Sequence, residues 1–341
     1  MAPGGAMAGG RAGEGGLRIQ VAVHPASPVG GAFTEAAVRA AAARHPGALE
    51  GTELRFSDTG AALEAALPES DILLLAGQMP LEGLRERAPR LRWLHYTSAG
   101  VEWLLKAGLP PGLLLTNASG THAPKTAEFA LLSVLMLNNR IPRFTTAQRE
   151  ARWAPEPNST VAGKTALVLG MGGLGAAAAG ALRGAGLRVL GLSRSGRPHP
   201  AAEMHPIAAL HALLPEAEFL LVTLPLTPET EGIIGPRELE LLPAGAGVVN
   251  IGRGPLLDHA ALVSKLRDGS LSGAVLDTVP EEPLPADSPL WSAPNLILTP
   301  HCGLYDPVSY GTRCLDGFFG NLLRFRRGEA MERVVEPGRG Y

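Results

Sequence analysis

Cysteine is almost missing from this chain, which has two among 341 residues, Cys302 and Cys314. Two thiols cannot make a disulfide framework, and a reducing cytoplasm is the expected compartment. An excess of charge of one sign is also missing: 30 Lys and Arg face 32 Asp and Glu, a formal net charge of −2. No basic face is implied, which argues against a nucleic-acid partner. Long apolar runs are absent too. The longest, FALLSVLML at 129–137, carries a Ser and falls short of the ~18–20 residues that span a bilayer, so no membrane partner is expected. The first sixteen residues, MAPGGAMAGGRAGEGG, lack the apolar core of a signal peptide and read as a flexible tail. No internal repeat is visible, and no cluster of His, Cys and acids has metal-ligand spacing, so no metal is expected.

What is present is a full set of core residues, 45% hydrophobic against 18% charged. The length suits two domains. Short, solid apolar runs alternate with Ala- and Leu-rich helical stretches. The runs are LRIQVAV, DILLLAG, LRWLHYTS, GLLLTNAS, TALVLG, RVLGLS, FLLVTLPL, GVVNIG, GAVLDTV and LILTPH. Solid runs suit parallel strands covered on both faces, hence an α/β architecture with right-handed crossovers. A boundary is expected near Asn117, followed by a long apolar helix over 121–139 and the Pro-rich loop ARWAPEPNST, with a second α/β unit starting at Lys164. The organisation expected is a tail over 1–16, a substrate domain over 17–116 plus 305–341, and a nucleotide-binding domain over 117–304. The closing segment CLDGFFGNLLRFRRG has helical spacing and no strand to feed, so a return to the first unit is open to it.

TALVLGMGGLGAAAAGALRGAG sets Gly170, Gly172 and Gly175 in G-x-G-x-x-G spacing. An apolar strand precedes it and an Ala-rich helix follows, the context that a dinucleotide turn requires. Gly170 permits the tight turn, Gly172 the approach of a pyrophosphate, and Gly175 close packing of helix on strand. The helix N-terminus offers free N–H groups to the phosphates. At the end of the next strand an Asp or Glu would hold the ribose 2′-hydroxyl of NAD. Here the sequence reads Ser193, Arg194, Ser195, with Arg197 following. Arg binds a phosphate bidentately where a carboxylate would repel it. NADP(H) is therefore the preferred cofactor, with NAD(H) the alternative if this loop is only a solvated basic turn.

Three polar residues follow successive strand candidates, where open α/β sheets place their ligands. Arg253 follows VVNIG, Glu282 follows AVLDTVPE, and His301 follows LILTP. Singly, each reads equally as a turn or strand-end residue. Together they form a site for reducing a 2-keto carbon. His301 would give a proton to the carbonyl oxygen, an imidazole ordinarily titrating near ~6.5. Glu282 would orient the ring through its other nitrogen, and Arg253 would clamp the substrate carboxylate.

With these residues in view, the chain resembles the D-isomer-specific 2-hydroxyacid dehydrogenase family. The matching stretches are SAGVE, TAEFALL, LVLGMGGLG, LPLTPETEGII, VVNIGRGPLLD, AVLDTVPEEPLPADSPLW and LILTPH, spread over most of 91–301, with NLLRFRRGE and the terminal RGY fitting the closing helix and tail. The resemblance implies that Arg253, Glu282 and His301 are the catalytic set. It makes the backbone of Ser98, Ala99, Gly100 and Val101 a cradle for the substrate carboxylate. It adds Gly173, Leu174, Leu224, Pro225, Thr230, Ile251, Gly252 and Asp277 to the cofactor contacts. It also implies a Rossmann domain inserted in a flavodoxin-like substrate domain, an active site in the cleft, and a homodimer through the nucleotide domain. Ser and Arg after the second Rossmann strand resemble the NADPH-preferring glyoxylate and hydroxypyruvate reductases. Departures from the family pattern are Glu102 for Asp, Thr278 and Val279 after Asp277, and Cys302-Gly303-Leu304-Tyr305 after His301. Tyr305 is a pocket wall or a packing residue, Cys302 a bystander thiol, and His122 a hinge or surface residue. Met79 and Trp153 are expected to serve core or loop packing rather than the pocket.

The leading expectation is an NADP(H)-dependent reductase of small 2-ketoacids giving D-hydroxyacids. The alternatives are a cofactor-sensing, corepressor-like interaction protein on the same fold, or a formate- or phosphite-type dehydrogenase. Turnover of a 2-ketoacid separates the first from the second. A formate enzyme would need an Asn and Gln set that the motifs do not supply.

Overall fold

The computed structural model describes residues 16–27 and 29–336. Residues 1–15 of the expected tail and the terminal RGY lie outside them. The chain divides into two compact units, the first running to Thr121 and resuming at Asp306, the second His122–Tyr305. The expected boundary at Asn117 falls inside the first unit. Asn117 is the last residue of a strand there, and the loop after it stays tied to that sheet through Ala118 N–H donating to Ser98 O at 3.1 Å. Tyr305, expected with the first unit, belongs to the second.

The first unit is a parallel sheet of five strands: β1 (Leu17–Val23), β2 (Thr52–Ser57), β3 (Ile72–Ala76), β4 (Trp93–Tyr96) and β5 (Leu114–Asn117), in the order β2-β1-β3-β4-β5. The solid run ILLLA makes β3 the centre, with every side chain buried. Each such Leu removed from water contributes about 1.5–3 kcal/mol. The helix Tyr310–Arg327 covers one face. Its Phe318 stacks on Trp93 at 4.9 Å, and its Asp316 accepts from Arg44 Nη2 at 2.7 Å. The segment after it returns beside β5, where Val335 N–H donates to Leu115 O at 2.8 Å.

The second unit is a parallel sheet of seven strands: β6 (Thr165–Leu169), β7 (Arg188–Ser193), β8 (Glu203–Pro206), β9 (Phe219–Val222), β10 (Ala246–Asn250), β11 (Leu271–Leu276) and β12 (Leu296–Leu298), in the order β12-β11-β10-β9-β6-β7-β8. The order reverses at β6, between β7 and β9, so the ligand crevice is expected beyond the carboxyl ends of these strands. The helix Ala123–Asn138 covers one face with the helix Gly173–Gly184.

Two strands, β2 and β8, and the helix Ile141–Arg149 are absent from the sequence expectations. Both strands lie at sheet edges. β8 has two exposed and two half-buried residues, so it never needed a solid apolar run. The loop ARWAPEPNST is irregular as expected. Trp153 within it does not pack on the loop or the core: it is 96% exposed. The loop is anchored instead by polar bonds at its far end, Arg143 Nη1 pairing with Glu156 at 2.9 Å and Asn138 Nδ2 donating to Ser159 O at 2.8 Å. Met79 is a core residue, as expected. No helix among the described residues is long and apolar enough to cross a membrane.

Candidate active site

In the second unit the glycine turn sits where the strand order reverses. Gly170 adopts φ +106, and its N–H donates to Leu192 O at 2.9 Å. A side chain at Gly175 would meet Gly170 O at 1.7 Å, whereas one at Gly172 would meet nothing within 4 Å. Gly175 is therefore fixed by packing, and Gly172 borders open space at the start of the helix Gly173–Gly184, whose first residues include Leu174. Thr223 ties the turn to β9, donating through its hydroxyl to Gly170 O at 2.6 Å. Leu224 and Pro225 follow, and Thr230 Oγ1 closes their loop by donating to Pro225 O at 2.7 Å.

At the end of β7 the Ser193 hydroxyl accepts from Gly196 N–H at 3.1 Å, folding 193–197 into a tight turn. Gly196 has φ +62, and a side chain there would meet Pro206 N at 2.8 Å. β8, unrecognised in the sequence, thus forms the wall behind this loop. Arg194, Ser195 and Arg197 are exposed, and no described carboxylate forms an ion pair with either arginine.

Beyond β10, Ile251 is buried and Asn250 shapes the turn that carries Arg253. Its Oδ1 accepts from Gly252 N–H at 3.0 Å and its Nδ2 donates to Arg253 O at 2.9 Å. A side chain on Gly252 would meet Leu224 O at 2.8 Å, so β9 and β10 end in backbone contact. The Arg253 guanidinium donates to Gly252 O at 2.8 Å through Nη1.

Glu282 and His301, 19 residues apart, are joined by a bond of 2.7 Å between Oε2 and Nδ1. A carboxylate only accepts, so Nδ1 carries the proton and Nε2 is left for chemistry. Glu282 is held from behind by Val279 N–H at 3.2 Å. Both side chains are reachable, His301 48% and Glu282 38% exposed. His301 has φ +51, a left-handed backbone unusual outside glycine. The device that holds it is Asp277, 1% exposed, whose Oδ1 accepts from Thr299 Oγ1 at 2.6 Å, Cys302 N at 3.1 Å and Gly303 N at 2.8 Å. Asp277 Oδ2 is buried with no partner among the described residues. Such an acceptor is costly unless a ligand donor meets it.

Cys302 is exposed and Cys314 buried, both as free thiols. Burial pushes the Cys314 thiol up to about 11. His122, at the start of the helix Ala123–Asn138, bonds Leu304 O through Nδ1 at 2.9 Å. Tyr305 is half-buried and its N–H donates to Cys302 O at 3.1 Å. Among the described residues no group of His, Cys, Asp and Glu could hold a metal ion.

In the first unit, Ser98, Ala99, Gly100 and Val101 follow β4. Their four N–H groups donate to no acceptor among the described residues. Successive unpaired amides of this kind make an anion-binding concavity. Glu102 begins the short helix that follows.

Sequence reasoning missed Thr223, Asn250 and Asn117, which hold the backbone of these sites. The available signal was a polar residue at the carboxyl end of a solid apolar run.

Comparison with known proteins is in keeping with this geometry. The family described as D-isomer specific 2-hydroxyacid dehydrogenase, NAD binding domain, matches residues 131–303. Glyoxylate/hydroxypyruvate reductase B of Yersinia enterocolitica is 34% identical over 296 residues, 82% of this chain and 88% of that protein. Among solved structures, a D-isomer specific 2-hydroxyacid dehydrogenase from Xanthobacter autotrophicus Py2, in complex with NADPH and MES, aligns with a TM-score of 0.82 and 34% identity over 96% of this chain and 100% of that one. The NADPH-dependent glyoxylate/hydroxypyruvate reductase of Sinorhizobium meliloti, in complex with NADP and sulfate, aligns with a TM-score of 0.79 and 28% identity over 95% of this chain and 100% of that one.

Proposed function

The chain belongs to the D-isomer specific 2-hydroxyacid dehydrogenase family, and from that premise we propose that it is an NADPH-dependent reductase of small 2-ketoacids of the glyoxylate and hydroxypyruvate type, giving the D-hydroxyacid. The observation that carries the reaction class is the His301–Glu282 pair at 2.7 Å, with Nε2 left for a reacting group. The residues present fit a dinucleotide. Gly172 borders open space for a pyrophosphate. Asp277 Oδ2 is a buried acceptor without a donor among the described residues, suited to the carboxamide of a nicotinamide. The arginines at 194 and 197 suit a 2′-phosphate, as do the NADPH and NADP in the two similar structures. The remaining cofactor contacts would come from Gly170, Gly173, Leu174, Gly175, Ser193, Ser195, Leu224, Pro225, Thr230, Ile251 and Gly252.

The nicotinamide, when bound, supplies the hydride. The protein supplies position and a proton. Arg253 clamps the substrate carboxylate and polarises its carbonyl through a planar fork of donors. The amides of Ser98, Ala99, Gly100 and Val101, in the first unit, suit a carboxylate. His301 Nε2 delivers a proton to the carbonyl oxygen as negative charge builds there. Glu282 holds the opposite ring nitrogen, so the imidazole does not rotate away and its positive form is compensated.

The enzyme acts in a reducing cytoplasm, in keeping with its two free thiols. It works as a homodimer through the second unit, where Leu132, Leu135, Ile141 and Trp153 are exposed at 47%, 37%, 43% and 96%. Nucleic acid is not a partner, given a net charge of −2. The test follows the absorbance of reduced nicotinamide with NADPH and NADH separately, against glyoxylate, hydroxypyruvate, pyruvate and a bulky arylpyruvate. Faster NADPH oxidation with the small acids is expected. Cofactor binding without turnover of any acid would refute the proposal.

A further inference from the structure

We propose that Asn117 is a positioning residue for this reaction, aiming the amide of Gly100 at the substrate carboxylate by holding the Ala99 carbonyl. The inference rests on the reading of residues 98–101 as the carboxylate cradle. Asn117 ends β5, paired with Tyr96 at the end of β4, and is 3% exposed. Its Nδ2 donates to Ala99 O at 2.7 Å, and its Oδ1 accepts from Ser119 N–H at 3.1 Å. An N–H needs an oxygen and a carbonyl needs a donor, so these two partners leave the amide one orientation. The next residue acts in the same sense, Ala118 N–H donating to Ser98 O at 3.1 Å.

Two successive carbonyls, of Ser98 and Ala99, are thus drawn towards the end of β5. A trans peptide is planar, with its N–H directed opposite to its C=O. The N–H groups of Ala99 and Gly100 therefore face away from β5, and neither has an acceptor among the described residues. Two adjacent donors turned the same way match the oxygens of a carboxylate. Among the described residues no other group donates to Ala99 O, and a flip of the Ala99–Gly100 peptide would present a carbonyl to the anion. A role confined to capping the strand accounts for the bonds from Ser119 N–H and to Arg333 O. It does not account for the bond to Ala99 O.

The test uses the full-length enzyme and Asn117→Ser, which keeps an oxygen for Ser119 N–H but cannot reach Ala99 O. Expected is a rise in KM for the preferred ketoacid of about tenfold with kcat within about twofold, the signature of lost uniform binding. Oxalate, titrated calorimetrically into enzyme saturated with NADP+, should weaken by a similar factor, while NADPH affinity and the thermal midpoint stay near wild type. Asn117→Asp, which turns a second oxygen on Ala99 O, should move KM the same way. Wild-type KM and oxalate affinity in both variants would overturn the proposal, as would a fall in kcat at constant KM. Collapse of the thermal midpoint in both variants would reduce Asn117 to a structural cap and overturn it equally. Wild-type enzyme that neither reduces a ketoacid nor binds oxalate would bring down the functional reading itself.

Discussion

His95 gives this protein a defined sensitivity to acid. It lies on β4 with 1% of its surface exposed. Its Nδ1 shares the Thr116 hydroxyl with Trp93 Nε1, each at 2.8 Å, and its ring lies 5.5 Å from that of Phe318. Nε2 is buried without a partner among the described residues. Burial first, and the charge of Arg333 second, lower its pKa from 6.5 to about 3. Above the unfolded value both states are neutral and stability is complete. As pH falls below it the unfolded chain takes up a proton that the folded protein refuses, and stability declines by about 1.4 kcal/mol per pH unit until the folded value is reached. At about pH 5 the loss is about 2 kcal/mol, or roughly 4–8 °C in Tm for a unit of this size. His95→Gln, polar but not titrating there, should remove that component. Thermal midpoints of both proteins at about pH 7.5 and about pH 5 measure it, the wild type falling further by this margin. Equal falls, within a degree or so, would mean that His95 titrates as an ordinary histidine and that the burial argument is wrong.

Other expectations concern the site. His301→Gln should reduce ketoacid turnover by roughly 10²–10⁴-fold while NADPH affinity, read by fluorescence titration, stays near wild type. Loss of NADPH binding instead would make His301 structural. Ser193→Asp combined with Arg194→Asp should turn the kcat/KM ratio for NADPH over NADH towards NADH, and an unchanged ratio would demote this loop to a solvated turn. Gly172→Ala should weaken NADPH binding with the thermal midpoint unchanged, since nothing lies within 4 Å of the added carbon. Gly175→Ala should instead destabilise the fold by about 1–3 kcal/mol or more, its added carbon meeting Gly170 O at 1.7 Å.

The central strands and the glycine turn were legible because their demands are local. β3 is buried along its whole length and so must be written as a solid apolar run. Gly170 at φ +106 needs a residue without a Cβ. The edge strands β2 and β8 escaped notice because their sequences, TELRFS and EMHP, are broken by charged and polar residues. The residues that hold the sites escaped for another reason. The Thr223 hydroxyl meets Gly170 O across 53 positions of sequence, and the Asn117 amide meets Ala99 O across 18. A lone Thr or Asn at the end of an apolar run looks the same whether or not such a partner exists.

The sequence by itself determined the α/β class and the G-x-G-x-x-G spacing of Gly170, Gly172 and Gly175, and it offered Arg253, Glu282 and His301 as candidates. The class and the turn follow from residue types whose demands are local, and the candidates from polar residues placed after apolar runs. Tertiary structure alone decided which nitrogen of His301 is held, which oxygen of Asp277 is left without a donor, which way the amides of Ala99 and Gly100 turn, and that His95 is shut away from water. Those outcomes depend on direction and burial, and both are set by groups that meet only when distant segments pack together.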